Sequence, residues 1–508
     1  MTSTKTPSQH TVRKEDKIPL WEQIIYGAGD LFGGGQAGML SVILLVFLTD
    51  RIGIEAAIAS TIIMVSKLWD AVSDPVMGII SDNTRWSKLG RRKPYMIIGG
   101  ILIPIALGFL FAPIQDFGEV SKITWMMVAY ICYCTVSTIS QVPFMSMSSD
   151  ISLDYTQRNK ANTWKLIFDM IASAIFYVVP QILYTALQDG KITQNQFYYT
   201  VVFGFGLFFG IPLIVAGLLI KERVPYNKEE KVKIDIKQYF EGLKVKSYLW
   251  HLGMYISAFL TMDIVSALTM YYVNYIGQRA VIGHIGGMTL RVSGALFTAP
   301  MLAAAGFAVI FAYIIKAKKS KQAAFRFGLP LYILGAILLA CWTPAWPAWC
   351  IPLFAVICGL GFGGAQSMPW LIFPDTVDVA ELKLGYRPTA NMSGVMTFSR
   401  KACTALGLGL VGWVMTGAGY VKPVLDAVTG EMIHQPQPAG LLLAIRIMLA
   451  ASVTLLLGFG FISSIKYRVT NKKLDRIRYF NDKRKNSGEE SFTPEEKTEF
   501  QALKAELC

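Results

Sequence analysis

Long apolar runs separated by short polar connections recur along the whole chain. Each run holds about 20 residues, which is enough for a helix to cross the hydrocarbon core of a bilayer. Because backbone polar groups in lipid must be satisfied within the spanning segment, the runs are predicted to be helices and not open sheet. The pattern gives twelve predicted spans: 24–49, 57–80, 94–113, 122–148, 163–187, 198–220, 249–276, 294–316, 327–343, 348–372, 393–418 and 438–466.

A longer polar segment divides these spans into six and six. We therefore expect an N-terminal six-helix bundle in residues 1–220, a cytoplasmic central loop in 221–248, a C-terminal six-helix bundle in 249–466 and a charged cytoplasmic tail in 467–508. Within the tail, Thr493 and Pro494 followed by two glutamates are typical of a helix start, which predicts a short, solvated amphipathic helix. The predicted fold class is an all-α polytopic membrane protein.

Composition and charge agree with this architecture. Hydrophobic residues make up 53% of the 508 residues and charged residues only 16%, against about 25% in a soluble domain. Lys and Arg crowd alternate connections, and the positive-inside rule then places both termini in the cytoplasm, with the chain multi-pass in the plasma (inner) membrane. The net charge of +14 is explained without nucleic acid. The lipid bilayer is the expected partner, nucleic acid is not, and we expect a monomer.

Three charged residues interrupt the second apolar run, in the stretch SKLWDAVSDPVMG. Asp70 and Asp74 are four residues apart, so they share one helix face, although each charge at mid-membrane costs roughly 2.5–3.5 kcal/mol. A small cation, Na⁺ or H⁺, held between the carboxylates would offset this cost, and Pro75 would free the Ala71 carbonyl as a further ligand. The alternative is that both acids only pair with Lys67 and with Lys401 of the eleventh run.

Lys401 lies several residues inside the eleventh predicted span, in the other half of the chain. A buried lysine there needs a carboxylate, and Asp70 or Asp74 is the natural partner. The alternative is a lysine near a helix end that extends to the membrane interface.

The sequence carries no pattern typical of an enzyme. GLGFGG at 359–364 fits a dinucleotide-binding fingerprint only in its glycines, because it lies inside an apolar run instead of between a strand and a helix. Neither GxSxG nor HExxH occurs, and the four histidines are scattered. We therefore expect no enzyme and no cofactor other than a coupling ion.

Five stretches, in this order, carry a resemblance that covers nearly the whole chain: YGAGD, KLWDAVSDPVMG, SDNTRWSKLGRRKPYM, SLDYTQRNKANTWK and FPDTVDVAELKLGYR with FSRK after it. Together they resemble the glycoside–pentoside–hexuronide:cation symporters, the melibiose-permease-like branch of the major facilitator superfamily. The resemblance implies two pseudo-symmetric six-helix bundles with the substrate between them. It also implies symport of a glycoside, oligosaccharide or hexuronide, driven by H⁺ or Na⁺.

Site residues follow from the same resemblance. The coupling cation would be held by Asp70 and Asp74, which act as metal ligands only if the ion is Na⁺, with Ser73 and Thr138 as oxygen neighbours. Arg158 would pair with Asp375 and Asp378 across a cytoplasmic gate that also includes Arg387. The predicted substrate-binding residues are Tyr26, Asp30, Lys67, Gln141, Lys165, Thr397 and Lys401.

The sequence departs from the melibiose type at several of these positions. Gly34 and Gln141 stand where that permease has sugar-binding acids, Met145 where it has a tryptophan, and Ser73 where it has an asparagine. Ser73 favours H⁺ over Na⁺, and the cavity lysines Lys67 and Lys165 would suit an anionic sugar such as a uronide. Two alternatives stay open: a symporter of a non-sugar organic anion, and a membrane sensor that has lost transport.

Overall fold

The computed structural model describes residues 17–84, 89–152, 155–188, 190–223, 236–277, 281–285, 288–291, 314, 320–425, 432–433 and 435–508. Within these ranges the chain is predominantly α-helical. Two short antiparallel pairs are the strands described: β1 (Val281–Ile285) with β2 (Met288–Arg291), and β3 (Val424–Leu425) with β4 (Met432–Ile433). Both pairs lie in connections between predicted spans, so the predicted all-α class is confirmed.

The N-terminal half is a series of long helices joined by short connections. A π-helical turn, Phe47–Arg51, extends the second helix, and another, Thr200–Phe205, joins the seventh to the eighth. The helices are α1 (Leu20–Ala28), α2 (Leu31–Val46), α3 (Ala56–Asn83), α4 (Lys93–Leu110), α5 (Glu119–Asp150), α6 (Tyr155–Gln188), α7 (Gln194–Tyr199) and α8 (Gly206–Leu219).

The C-terminal half repeats this plan. A π-helical turn, Tyr272–Ile276, extends the helix that ends at Tyr271. The helix Cys350–Leu384 is followed by Gly385, whose φ of 84° is the left-handed conformation that glycine adopts most readily. The helices are α9 (Ile236–Tyr239), α10 (Lys246–Tyr271), α11 (Lys321–Cys341), α12 (Cys350–Leu384), α13 (Thr389–Gly417) and α14 (Ala439–Lys466), followed by α15 (Asn471–Ser487) and α16 (Pro494–Leu507) in the tail.

The helices agree with the predicted spans. Ten helical segments in the described part of the chain are long and apolar enough to cross a membrane. The helix α13 coincides with the eleventh predicted span and carries Arg400 and Lys401. Apart from residue 314, the eighth predicted span lies outside the described residues, as do residues 224–235 of the predicted central loop. Eleven of the twelve predicted spans are therefore described as helices.

The two halves meet where α3 and α13 pack side by side in opposite directions. The Ala57 amide donates to the Thr416 hydroxyl at 2.9 Å, and the Ser60 hydroxyl donates to the Gly409 carbonyl at 3.2 Å. A Cβ atom on Gly412 would lie only 2.1 Å from the Ser60 Oγ atom. Small residues thus let the two backbones approach closely, as membrane helices commonly do.

Ion pairs identify one end of the molecule, which we call the termini end. There Arg92 pairs with Asp82 at 2.8 Å and also with Asp150, while Arg223 pairs with Glu22 at 2.6 Å. The first described residues, residues 84 and 89–92 between α3 and α4, and the start of the tail all lie at this end. The opposite end, at residues 47–56, 110–119, 272–277 and 417–422, is called the far end.

The tail does not extend freely into solvent. Thr493 caps α16 as predicted, with its hydroxyl accepting from the Glu496 amide and the Glu496 carboxylate accepting from the Thr493 amide. However, the Leu507 carbonyl accepts from the Ser247 hydroxyl at 2.6 Å, and Phe500 is buried. The expectation of a merely solvated helix is therefore wrong, because its apolar face packs on the C-terminal half.

Candidate functional site

Two carboxylates and a lysine meet between the halves. The Lys401 Nζ atom lies 2.9 Å from Asp70 Oδ2 and 2.5 Å from Asp74 Oδ2. The remaining oxygens of both carboxylates, Asp70 Oδ1 and Asp74 Oδ1, each lie 3.1 Å from the Thr138 hydroxyl. Since a hydroxyl has one proton, Thr138 can donate to only one of them at a time. The ammonium group and the hydroxyl thus lie on opposite sides of the same acid pair.

The local sequence of α3 explains this arrangement. Asp70 and Asp74 occupy successive turns, with Asp70 buried and Asp74 partly exposed. Ser73 lies beside them, with its hydroxyl 3.1 Å from that of Thr138. Pro75 lies inside α3. Because proline has no amide proton, the Ala71 carbonyl loses the hydrogen-bond donor that it would normally have in a helix. Several oxygen atoms therefore surround the position of the Lys401 ammonium group.

A second polar group lies in the N-terminal half. Asp30 is buried, with its Oδ2 atom 3.8 Å from Lys165 Nζ and its Oδ1 atom without a hydrogen-bond partner among the described residues. Asp30 and Gln141 both approach Gly33, where a Cβ atom would lie 2.4 Å from Asp30 Oδ1 and 3.1 Å from Gln141 Oε1. A glycine at 33 is thus required for the two side chains to share this space.

Three other predicted substrate residues lie on helices of both halves. Tyr26 is fully buried in the N-terminal half, where its hydroxyl donates to Asn162 Oδ1 at 3.4 Å. The Thr397 hydroxyl donates to the Ser393 carbonyl within its own helix at 3.1 Å. Lys67 is half-buried on α3.

The predicted gate carboxylates lie near the termini end of α12. Asp375 pairs with Lys321 at 2.6 Å and with Arg478 of the tail at 3.4 Å. Asp378 pairs with Arg387 at 2.9 Å and with Arg478 at 2.8 Å. All of these partners belong to the C-terminal half or the tail. The predicted pairing with Arg158, which lies half-buried in α6, stays a prediction.

Sequence reasoning missed a buried acid at the far end. Asp50, in the π-helical turn after α2, accepts from the Tyr275 hydroxyl at 3.0 Å and from the Tyr420 hydroxyl at 2.5 Å. The neighbouring Thr49 hydroxyl lies 2.7 Å from that of Tyr271. We call these five residues the far-end cluster. Thr49 and Asp50 belong to one half and the three tyrosines to the other, so the cluster joins the halves.

Another missed pair lies in the C-terminal half. Asp263 in the middle of α10 accepts from the Thr404 hydroxyl at 2.6 Å and lies 3.9 Å from Arg400 Nη2. The available signal was the one that identified Asp70, an ionisable residue inside an apolar run. The same signal is present in FLTMDIVSAL, which contains Asp263, and at the end of the first run, which contains Asp50.

Comparison with known proteins agrees with the architecture. Residues 25–470 match the family described as MFS/sugar transport protein. The chain is 25% identical to the putative glycoside/cation symporter YagG of Escherichia coli (strain K12), covering 91% of this chain and 94% of that protein. It is 23% identical to the isoprimeverose transporter of Lactiplantibacillus pentosus, covering 81% and 83%. It is 21% identical to the glucuronide carrier protein homolog of E. coli (strain K12), covering 92% and 96%.

Solved structures support the fold. The nucleoside transporter NupG, as the D323A mutant, superposes with a TM-score of 0.56 at 14% identity, covering 87% of this chain and 99% of that one. A POT family transporter in complex with 5-aminolevulinic acid gives a TM-score of 0.55 at 16% identity, covering 87% and 95%. These relatives and neighbours are transporters and not enzymes.

Proposed function

Because the chain belongs to the MFS/sugar transport protein family, we propose that it is a cation-coupled symporter that carries a glycoside, oligosaccharide or hexuronide across the membrane by alternating access. One observation carries the proposal: Lys401 of one half lies between Asp70 and Asp74 of the other. The relatives named as a glycoside/cation symporter, an isoprimeverose transporter and a glucuronide carrier homolog support a sugar as the substrate.

The acid pair links ion binding to the relation between the halves. The Lys401 ammonium group occupies the position in which H⁺ or Na⁺ would neutralise the two carboxylates. When the coupling ion binds, it competes with Lys401, and the ion pair between the halves weakens. A ligand shifts a conformational equilibrium only by binding one state better than another, and this competition supplies that difference. Na⁺ would use the oxygens of Asp70, Asp74, Ser73 and Thr138, whereas H⁺ would need only a carboxylate.

The charge pattern gives the orientation. The termini end carries Arg91, Arg92, Lys93 and the basic tail, which supports a cytoplasmic location for this end by the positive-inside rule. The far end then faces the outside, and the far-end cluster holds that side closed. During transport Arg158 would approach Asp375 and Asp378 and close the cytoplasmic side, while the far-end cluster separates.

The test uses inside-out and right-side-out membrane vesicles that contain the full chain. Asp74→Asn and Asp70→Asn should abolish accumulation driven by an ion gradient, since a neutral amide neither takes up a proton nor supplies the negative charge that attracts Na⁺. Asp116→Asn, in the exposed connection before α5, is the control and should accumulate substrate normally. Normal accumulation in the double Asp70→Asn, Asp74→Asn variant would refute the cation site.

The same vesicles identify the substrate and the coupling ion in separate measurements. Labelled glycosides, uronides and organic anions are compared for uptake and counterflow, with and without Na⁺ at fixed pH. Strong Na⁺ stimulation identifies Na⁺ and excludes H⁺ alone. Uptake of organic anions without any sugar favours the anion symporter, and a well-folded protein that moves none of these compounds is a sensor.

A further inference from the structure

The pair of buried Asp263 and partly exposed Arg400 is not needed for the ion site. Asp263 is 6% exposed in the middle of α10, and Arg400 lies in the middle of α13. Ionisable groups at this depth are costly and are usually retained for a function. The pair lies next to Lys401 in sequence, but its contacts are separate from those of Asp70 and Asp74.

The geometry of the pair leaves it able to bind a polar ligand. Arg400 Nη2 is 3.9 Å from Asp263 Oδ1, which is too long for a hydrogen bond. The other carboxylate oxygen, Asp263 Oδ2, is fixed by the Thr404 hydroxyl at 2.6 Å. A guanidinium group has five donors and a carboxylate several acceptor positions. A hydroxyl group that entered the gap would therefore find both a donor and an acceptor.

Aromatic rings form the adjacent wall. The Arg400 guanidinium carbon lies 4.3 Å from the centre of the Phe259 ring. The Tyr255 ring is 4.6 Å from that of Phe259 and 5.4 Å from that of Trp370, which is 44% exposed. Small-molecule sites combine aromatic walls with a few placed polar groups in this way.

The pair faces the N-terminal half. Asp169 of α6 lies within electrostatic range of both Lys165 and Arg400. Beside Asp263, the Tyr177 hydroxyl contacts Met262 Sδ at 3.7 Å across the halves. Asp263–Arg400 and Asp30–Lys165 are therefore on opposite sides of the same interface.

The two groups also match in charge. Each contains one carboxylate and one cation, and Asp169 adds a further negative charge near both. A uronide would need surplus positive charge at its carboxylate. Among the described residues, Lys165 and Arg400 are matched by Asp30 and Asp263. Lys401 and Lys67 are matched in number by Asp70 and Asp74. The expectation that Lys67 and Lys165 suit an anionic sugar is therefore not favoured by this balance of charges.

We propose that Asp263, Arg400 and Thr404 form a second sugar-binding subsite, which holds one unit of an uncharged glycoside while Asp30, Lys165 and Gln141 hold the other. The proposal rests on the proposed function, because it assigns the substrate of that transporter. The substrate class is a neutral glycoside of at least two units. Its second unit lies against Phe259 and Tyr255, and its hydroxyl groups bond to Asp263 and Arg400.

The test measures equilibrium binding to the purified full-length protein in lipid nanodiscs by calorimetry. The probes are the neutral disaccharides isoprimeverose and melibiose, the methyl glycosides of their single units, and methyl glucuronide. At least one disaccharide should bind more tightly than its single units and than methyl glucuronide. Arg400→Gln and Asp263→Asn should each weaken the binding of that disaccharide by about tenfold or more. The binding of the single unit held at Asp30 should change little.

Two controls exclude a purely structural effect. Arg326→Gln removes an arginine of the same half whose bonds go to Ser464, and it should leave disaccharide binding unchanged. Asp116→Asn, in the exposed connection before α5, should also leave disaccharide binding unchanged. The subsite is refuted if Arg400→Gln weakens the binding of the single unit and of the disaccharide equally, or if methyl glucuronide binds best. If no sugar binds to the wild-type protein, the proposed function fails and the subsite fails with it.

Discussion

The two ends of the molecule use buried carboxylates in opposite ways. At the far end, Asp50 of the N-terminal half accepts hydrogen bonds from Tyr275 and Tyr420 of the C-terminal half. At the termini end, Asp375 and Asp378 pair with Lys321, Arg387 and Arg478, which lie on their own side of the molecule.

This difference indicates the conformational state. Bonds between the halves must break when an end opens, whereas bonds within one half can persist. The far-end cluster therefore holds that end closed. Between the two ends, Lys401 joins the halves through the acid pair that is proposed to bind the coupling ion.

Removing the far-end acceptor should have the largest effect. In Asp50→Ala the hydroxyls of Tyr275 and Tyr420 lose a buried partner, and each bond to a charged group is worth roughly 1.5–3 kcal/mol. A cysteine at Thr269, which lines a cavity between Tyr177 of the N-terminal half and helices of the C-terminal half, reports opening in a cysteine-free background. Its alkylation from the far side should become at least about tenfold faster. An unchanged rate would show that the cluster does not hold the halves together.

A smaller effect is expected when one hydroxyl is removed. Tyr420→Phe keeps the ring and loses one bond to Asp50, so alkylation of the same cysteine should be about tenfold faster or more, but less than in Asp50→Ala, which loses both bonds. Tyr272→Phe is the matched control, since that hydroxyl donates to the Leu339 carbonyl within the C-terminal half at 2.8 Å. Equal rates in the two variants would contradict the assignment of the cluster as a closure.

Substitutions of two arginines should change the alkylation rate at the termini end in opposite directions. Arg158→Ala removes the predicted closing partner of Asp378, so a cysteine at Ser393 should be alkylated a few times faster from that side. The charge-swapped variant Arg158→Asp, Asp378→Arg should reverse the change. Arg478→Gln frees the carboxylates from the tail, so alkylation should slow. A static surface pair, worth about 0–1 kcal/mol, would leave all these rates equal.

The exposed pair between the halves should matter least. Lys422 pairs with Glu119 at the far end, with their side chains 47% and 73% exposed. Solvent screens such a pair, so Glu119→Gln should change far-side alkylation by less than about twofold. A change as large as that of Asp50→Ala would mean that burial does not explain the difference between the far-end contacts.

Much of the central site was predictable because its signal is local. Asp70 and Asp74 are one turn apart in an apolar run, and Lys401 is a cation that needs a carboxylate at the same depth. The start of α16 was predictable for the same reason, since its capping residues are three positions apart. The far-end cluster was not predictable in this way, because its members are separated by more than 220 positions.

By itself the sequence determined the all-α membrane class, the succession of spans and the presence of an intramembrane acid pair. These depend on apolar run length and helical spacing, which are properties of contiguous residues. Only the tertiary structure decided which charges meet. It joined Asp50 to tyrosines of the other half, set Arg400 beside Asp263, and brought Arg478 of the tail to Asp375 and Asp378. Such contacts depend on how helices pack, and one helix face offers the same carboxylate to several possible partners until packing selects one.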